Sequence, residues 1–187
     1  MALILITDAT VEPVTLAQAK VQCRVDEDIT TDDDLIETLI TAARTQAEQE
    51  LSRALITQTW ERVLDAFPPA EIELGKHKVI AITSVTYIDA AGDSQTLASE
   101  SYSLDADTPG GFLLPAVDTE WPDTLDTANA VRVRFTAGFG ADATAVPKGI
   151  KAWILAKIAH LHPNGDKASP EQQAMLDRLL DPWRVWG

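Results

Sequence analysis

The residue types able to do chemistry are concentrated in one short run, Asp26-Glu-Asp-Ile-Thr-Thr-Asp-Asp-Asp34. Read from Asp26 to Glu37, the run imitates a calcium loop, with acids at positions one, three, seven, nine and twelve. Two positions break the imitation. The sixth, where such a loop needs glycine for its sharp turn, is Thr31, and the eighth, normally apolar, is Asp33. Asp32, Asp33 and Asp34 suit a first helical turn instead, where the helix dipole favours negative charge. The run is read as a helix start, and no metal is expected there.

The remaining candidates also read as structural. His160 and His162 are two apart, so on a helix they point to different faces and cannot easily share one ion. His77 falls in a distant loop. Cys23 has no histidine in its own helix and lies on an apolar stripe, so it reads as a small core residue. Glu71 and Glu73 alternate with apolar residues, which fits a solvated strand face better than an acid/base pair. Phosphate-binding glycine loops, a nucleophile elbow and paired-cysteine motifs are all missing from the sequence. No catalytic residue, metal ligand or cofactor is assigned.

The elements that position these residues change period along the chain. Thr15 and Gln18 make a capping box for a first helix near 15–25, with Leu16, Ala19 and Cys23 on its apolar side. A second helix near 32–52 starts at Thr31, with Asp34 reaching back, and carries Leu35, Leu39, Ala43, Ala47 and Leu51 at spacing four, flanked by Ile36 and Ile40. From Thr57 the period is two, over about six short strands rich in β-branched and aromatic residues. Val131, Val133 and Phe135 alternate with Arg132 and Arg134, one face buried and one wet, while Asp89 to Asp93 forms a hairpin loop. Helix returns near 147–162 behind Pro147, and again near 170–180 behind the Ser169–Gln172 capping box, until Asp181-Pro182 stops it. The expected fold is α+β: a small bundle of about four helices, residues 1–56 plus 144–187, with an inserted antiparallel β-module over 57–143.

Composition bounds the function. The 187-residue chain is 45% hydrophobic and carries a formal net charge of −14, which argues against a conventional DNA binder. The charge is uneven: −7 over residues 1–56, −9 over 57–143 and +2 over 144–187. One cysteine suits a reducing compartment, and no apolar run approaches a membrane span. The opening MALILITD is too short for a secretory signal, so a soluble protein made inside the cell is expected. The only net-basic segment ends in Trp183-Arg184-Val185-Trp186, residue types that anchor interfaces. Two such tryptophans either tuck back onto the chain's own core or dock into a partner.

In their order along the chain, several stretches resemble the head–tail connector (adaptor) proteins of tailed bacteriophages and phage-like gene transfer agents. They are VEPVTLAQAKVQCRV, DDLIETLITAARTQAEQEL, VIAITSVTYIDAAGDSQTL, VRVRFTAGFGADATAVPKGIKAWILAKIAHL and the closing LLDPWRVW. The resemblance implies a virion neck protein made in the bacterial cytoplasm, a monomer or loose oligomer before assembly and a ring of twelve on the portal afterwards. It implies the portal and a tail-side neck protein (a stopper or tail terminator) as partners, with DNA passing through the channel without specific binding during ejection. It carries over no catalytic residue, no cofactor and no membrane contact. Trp183, Arg184 and Trp186 are the expected portal-binding residues. The competing expectation is a small-ligand or carbohydrate-binding β-module, which would need Tyr87, Tyr102 and Trp121 on one face.

Overall fold

The computed structural model describes residues 1–184 and is an α+β fold. The strands are β1 (Ala2–Thr7), β2 (Gln58–Leu64), β3 (Ile72–Glu73), β4 (Val79–Ile88), β5 (Ser94–Thr96), β6 (Tyr102–Asp105), β7 (Phe112–Pro115) and β8 (Val131–Ala137). The α-helices are α1 (Leu16–Cys23), α2 (Asp33–Leu51), α3 (Lys148–Leu161) and α4 (Pro170–Asp177), the last followed by a 3-10 turn, Arg178–Trp183. The chain divides into two compact units, Met1–Ala9 with Thr57–Gly138, and Thr10–Ile56 with Phe139–Gly187.

The β-unit holds two antiparallel sheets, of order β1-β2-β8-β4-β5 and β3-β7-β6. Register fixes what each face carries. Leu64 opposes Val131, which in turn opposes Tyr87, while Arg62, Val133 and Val85 follow on the same side. That face is the core side, with Val85, Val131, Val133 and Phe135 fully buried and Ile72 and Leu113 from the small sheet buried likewise. The other face carries Glu61, Arg132, Arg134, Ser84 and Thr86. In the β4–β5 hairpin, Asp89 Oδ1 accepts from the N–H groups of Ala91 and Asp93 at 2.9 Å, and Gly92 takes φ +93°.

One boundary differs from the expectation: residues 1–9 belong with the sheets, not with the helices. Ala2 to Leu5 pair residue for residue with Val63 to Trp60. MALILI is apolar throughout, so it lacks the alternation that marks a strand; a partner some sixty residues away, β2, makes it one. Residues 139–143 likewise fall in the helical unit.

In the helical unit both predicted capping boxes form. Thr15 Oγ1 accepts from Gln18 N–H at 3.2 Å while Gln18 Oε1 accepts from Thr15 N–H at 2.9 Å, and Ser169 with Gln172 repeats the pattern. Helix α2 departs from its expected face and cap. Its buried residues include Ile36, Ile40, Ala43, Ala47 and Leu51, whereas Leu35 is 42% exposed. A strict spacing of four drifts around a helix of 3.6 residues per turn, and the 4-3-4-4 path from Ile36 stays on one side. Asp32, not Thr31, is the N-cap, and no side chain caps it. Pro182 does not end the last helix; the chain continues through it as a tight 3-10 turn to Trp183.

Candidate functional site

The acidic run closes around a cation that belongs to the chain. Lys20, on the inner side of α1 and 5% exposed, donates through Nζ to the carbonyls of Glu27 (3.1 Å) and Ile29 (2.8 Å). The same ammonium lies 2.6 Å from Asp33 Oδ1. An ammonium thus holds two backbone oxygens and one carboxylate, the kind of ligand set a calcium ion would take. The sequence does not single Lys20 out, because a lysine inside a helix ordinarily reads as solvated. Among the described residues, no group of three or more His, Cys, Asp or Glu side chains is arranged to hold a metal ion.

The histidines part at the end of α3. His160 Nδ1 accepts from Ala168 N–H at 3.2 Å, and His162, fully buried, accepts at Nδ1 from Asn164 N–H at 3.3 Å. Lys167 Nζ donates to both histidine carbonyls at 2.7 Å, closing the helix end where the dipole favours a cation. Cys23 is buried in the helical core, and burial pushes its thiol pKa up, with Lys167 pulling weakly the other way. Neither group resembles a nucleophile or base poised toward a substrate.

Two carboxylate–guanidinium clusters account for most of the buried charge. In the helical unit, Arg44 donates to Glu12 Oε2 at 2.9 Å and to Glu48 Oε2 at 3.0 Å, while Glu48 Oε1 accepts from Leu55 N–H at 2.9 Å. In the β-unit, Glu61 takes Arg132 Nη1 at 2.7 Å on one oxygen and Arg134 Nη2 at 2.8 Å on the other. Desolvation pushes the Glu61 pKa up, but the hydrogen bonds and charges of the two arginines outweigh it and hold the carboxyl below its ordinary value.

The predicted terminal anchor is partly tied to its own unit. The Trp183 carbonyl accepts from Arg53 Nε at 2.6 Å, and its ring meets Phe139 edge-on, centroids 5.9 Å apart. Trp183 is half-buried. Arg184 reaches Glu50 at 3.4 Å and Asp181 at 3.7 Å, with its side chain 30% exposed. Trp186 lies outside the described residues. In the same unit an open groove of about 710 Å³ runs between α1, α3 and α4, lined by Ala156, Ala159, Met175 and Leu179 among others. Met175 is 69% exposed.

Three aromatic side chains of the β-unit form a stack. Trp121 lies parallel to Phe67 at 5.0 Å, and Phe67 meets Tyr87 edge-on at 5.6 Å. Trp121 Nε1 donates to the Ala70 carbonyl at 2.6 Å. Tyr102 sits on β6 opposite Pro115 and is not one of the rings of this stack. Among the described residues no helix is long and apolar enough to cross a membrane.

The helical unit thus presents an open groove and the β-unit a charged sheet face. The chain belongs to the phage gp6-like head–tail connector protein family, whose pattern matches residues 13–112. The whole chain is similar in fold to a protein in the neck of an empty gene transfer agent particle computed with C6 symmetry, with a TM-score of 0.80 at 22% identity over 100% of this chain and 97% of that one. It is similar to a chain of the native gene transfer agent virion at TM-score 0.80 and 23% identity, with the same coverage. A third similar chain, at TM-score 0.74 and 24% identity, is in a native neck computed with C12 symmetry. No curated protein sequence matches the chain.

Proposed function

We propose that this protein is the adaptor ring of a virion or gene-transfer-agent neck, formed of twelve subunits beneath the portal. It extends the DNA channel and receives the tail-side neck protein. The observation that carries this reading is the likeness over its full length to neck proteins, joined to membership in the connector family. The role is structural, without catalysis. A net charge of −14 suits a channel wall past which a polyanion must slide without sticking.

Trp183, Arg184 and Trp186 dock on the portal in this reading. They end the only net-basic segment, and Trp183 and Arg184 keep part of their surface exposed while Arg53 fixes the direction in which the chain leaves the unit. Twelve modest contacts held in one ring add by avidity.

The test mixes purified protein with DNA-filled, portal-bearing heads and images the necks by electron microscopy. Attached rings are expected with the intact chain, and none with residues 182–187 deleted. A shorter deletion of 184–187 keeps the Arg53–Trp183 bond and isolates Arg184 and Trp186. Normal attachment by both truncations would place the anchor elsewhere. If the longer deletion unfolds the chain, Trp183 is a core residue first.

A further inference from the structure

A ring of identical subunits, each strongly acidic, must overcome its own repulsion at every contact. The β-unit carries the means on two opposite sides. It has fourteen acidic residues against five basic ones, and two of those five, Arg132 and Arg134, stand side by side on the face turned away from its core. Glu61 lies between them, its side chain 7% exposed, whereas the arginine side chains are 46% and 43% exposed. One carboxylate against two guanidiniums leaves a local charge of +1. Arg132 gives Glu61 one donor and Arg134 gives it two, so most of their ten N–H donors are not spent on that carboxylate.

This patch is held in place before any partner arrives. Arg132 and Arg134 sit on β8, the middle strand of five, and the shared carboxylate restricts their rotamers. The cross-strand row through Arg134 and Glu61 continues to Ile4 on β1, which is 42% exposed, and no strand among the described residues pairs with the far edge of β1. A charged centre therefore borders an apolar rim and an open strand edge.

The complementary surface is the loop 118–126, bearing Asp118, Glu120, Asp123 and Asp126, all exposed. It is pinned by the Trp121–Ala70 hydrogen bond and by the stack through Phe67 to Tyr87. Tyr87 shares its face with Val131 and Leu64, opposite the face of Arg132 and Arg134. One rigid module thus presents a cationic patch on one side and an anionic loop anchored to the other. Because the patch and the loop's anchor lie on opposite faces, a single two-fold contact cannot bring both patch–loop pairs together, and a head-to-tail contact, the kind that generates rings, is favoured.

We propose that Arg132 and Arg134 of one copy dock the 118–126 loop of a second copy of this chain. Charge complementarity selects that occupant. Nucleic acid is the poorer match, because a net charge of +1 neutralises too few phosphates to bind. The proposal rests on the adaptor-ring reading, but its test needs no portal.

The experiment is sedimentation velocity of the full chain at low salt, with two charge-inverted variants. One carries D118K, E120K and D123K; the other carries E61K, R132E and R134E, which mirrors the cluster with its balance of signs kept. Each variant alone is expected to self-associate at least tenfold more weakly than wild type, and an equimolar mixture of the two is expected to recover association. Added salt weakens both the wild-type and the mixed association. Thermal melting checks that each variant folds; the loop variant changes only exposed side chains, so it decides the matter if the mirrored cluster does not fold. Self-association of the loop variant equal to wild type overturns the proposal, as does a mixture no stronger than its components. Retardation of duplex DNA by wild type, lost in the mirrored variant, would overturn it in favour of a polyphosphate partner. Wild type that associates with the predicted charge dependence yet never attaches to heads would refute the adaptor-ring reading alone.

Discussion

The two charged clusters are inverses of each other. In the helical unit one guanidinium, Arg44, is buried between two carboxylates, with only 3% of its side chain exposed. In the β-unit one carboxylate, Glu61, is buried between two guanidiniums that are nearly half exposed. The first encloses its cation and spends its acceptors inside the fold, down to the Leu55 amide bound by Glu48. The second encloses its anion and leaves cationic surface outside. The same pair chemistry locks a structure where the long, multidentate arginine is the buried partner, and dresses a surface where the arginines are the outer partners.

That difference predicts unequal responses to mutation. Arg44→Met strands Glu48 and Glu12 without their shared cation, and breaking a buried pair of this kind costs about 3–5 kcal/mol. Chemical denaturation should show a larger loss for it than for Lys20→Met, Trp153→Phe or Glu61→Gln. A loss below about 1 kcal/mol would mean that water reaches the cluster and that its burial is not what stabilises α2.

Lys20→Met comes next. It leaves the Glu27 and Ile29 carbonyls without their donor and removes the partner of Asp33, a loss of about 2 kcal/mol for charge-assisted bonds. Amide exchange across residues 26–33 should quicken, while the β-unit amides stay protected. Millimolar calcium should leave wild-type melting unchanged, because the ammonium fills the place an ion would take; a stoichiometric calcium site in a calorimetric titration would contradict this. Trp153→Phe should lose about 1–2 kcal/mol, since it deletes the bond from Nε1 to Asp177 at 2.9 Å and shrinks a fully buried ring, while Gln173 still serves that carboxylate.

How far the sequence discloses these features depends on how local they are. The capping boxes at Thr15 and Ser169 are four-residue patterns and read directly. The alternation from Val131 to Phe135 likewise reveals a wet face from the residue types alone. Strand β1 does not reveal itself, because its identity comes from β2, and an all-apolar run has no period of its own. Arg44 and Glu48 stand at helical spacing and hint at a pair, but Glu12, brought in from before α1, is the partner that buries it. Lys20 is hidden for a similar reason: its acceptors are carbonyls in a loop, and backbone atoms leave no mark on composition. The terminal tryptophans are suggestive as residue types, yet the Arg53–Trp183 bond that orients one of them joins positions 130 residues apart.

Glu61→Gln should have the smallest effect, and its pH dependence is the sharpest check on the comparison. At neutral pH the arginines can turn their charge to water, so replacing the carboxylate should cost less than about 1 kcal/mol. The folded-state pKa of Glu61 lies below its unfolded value of about 4.5. A group depressed in this way contributes its stability above the unfolded pKa, and that contribution fades as pH falls through the folded pKa. Wild type should therefore lose stability between neutral pH and the region below about 4.5 more steeply than the glutamine variant, which has no proton to take up at this position. The two curves should converge in acid. Parallel wild-type and Glu61→Gln curves throughout would show that the two arginines do not favour the charged carboxylate over the protonated one, and the contrast drawn between the two clusters would lose its electrostatic basis.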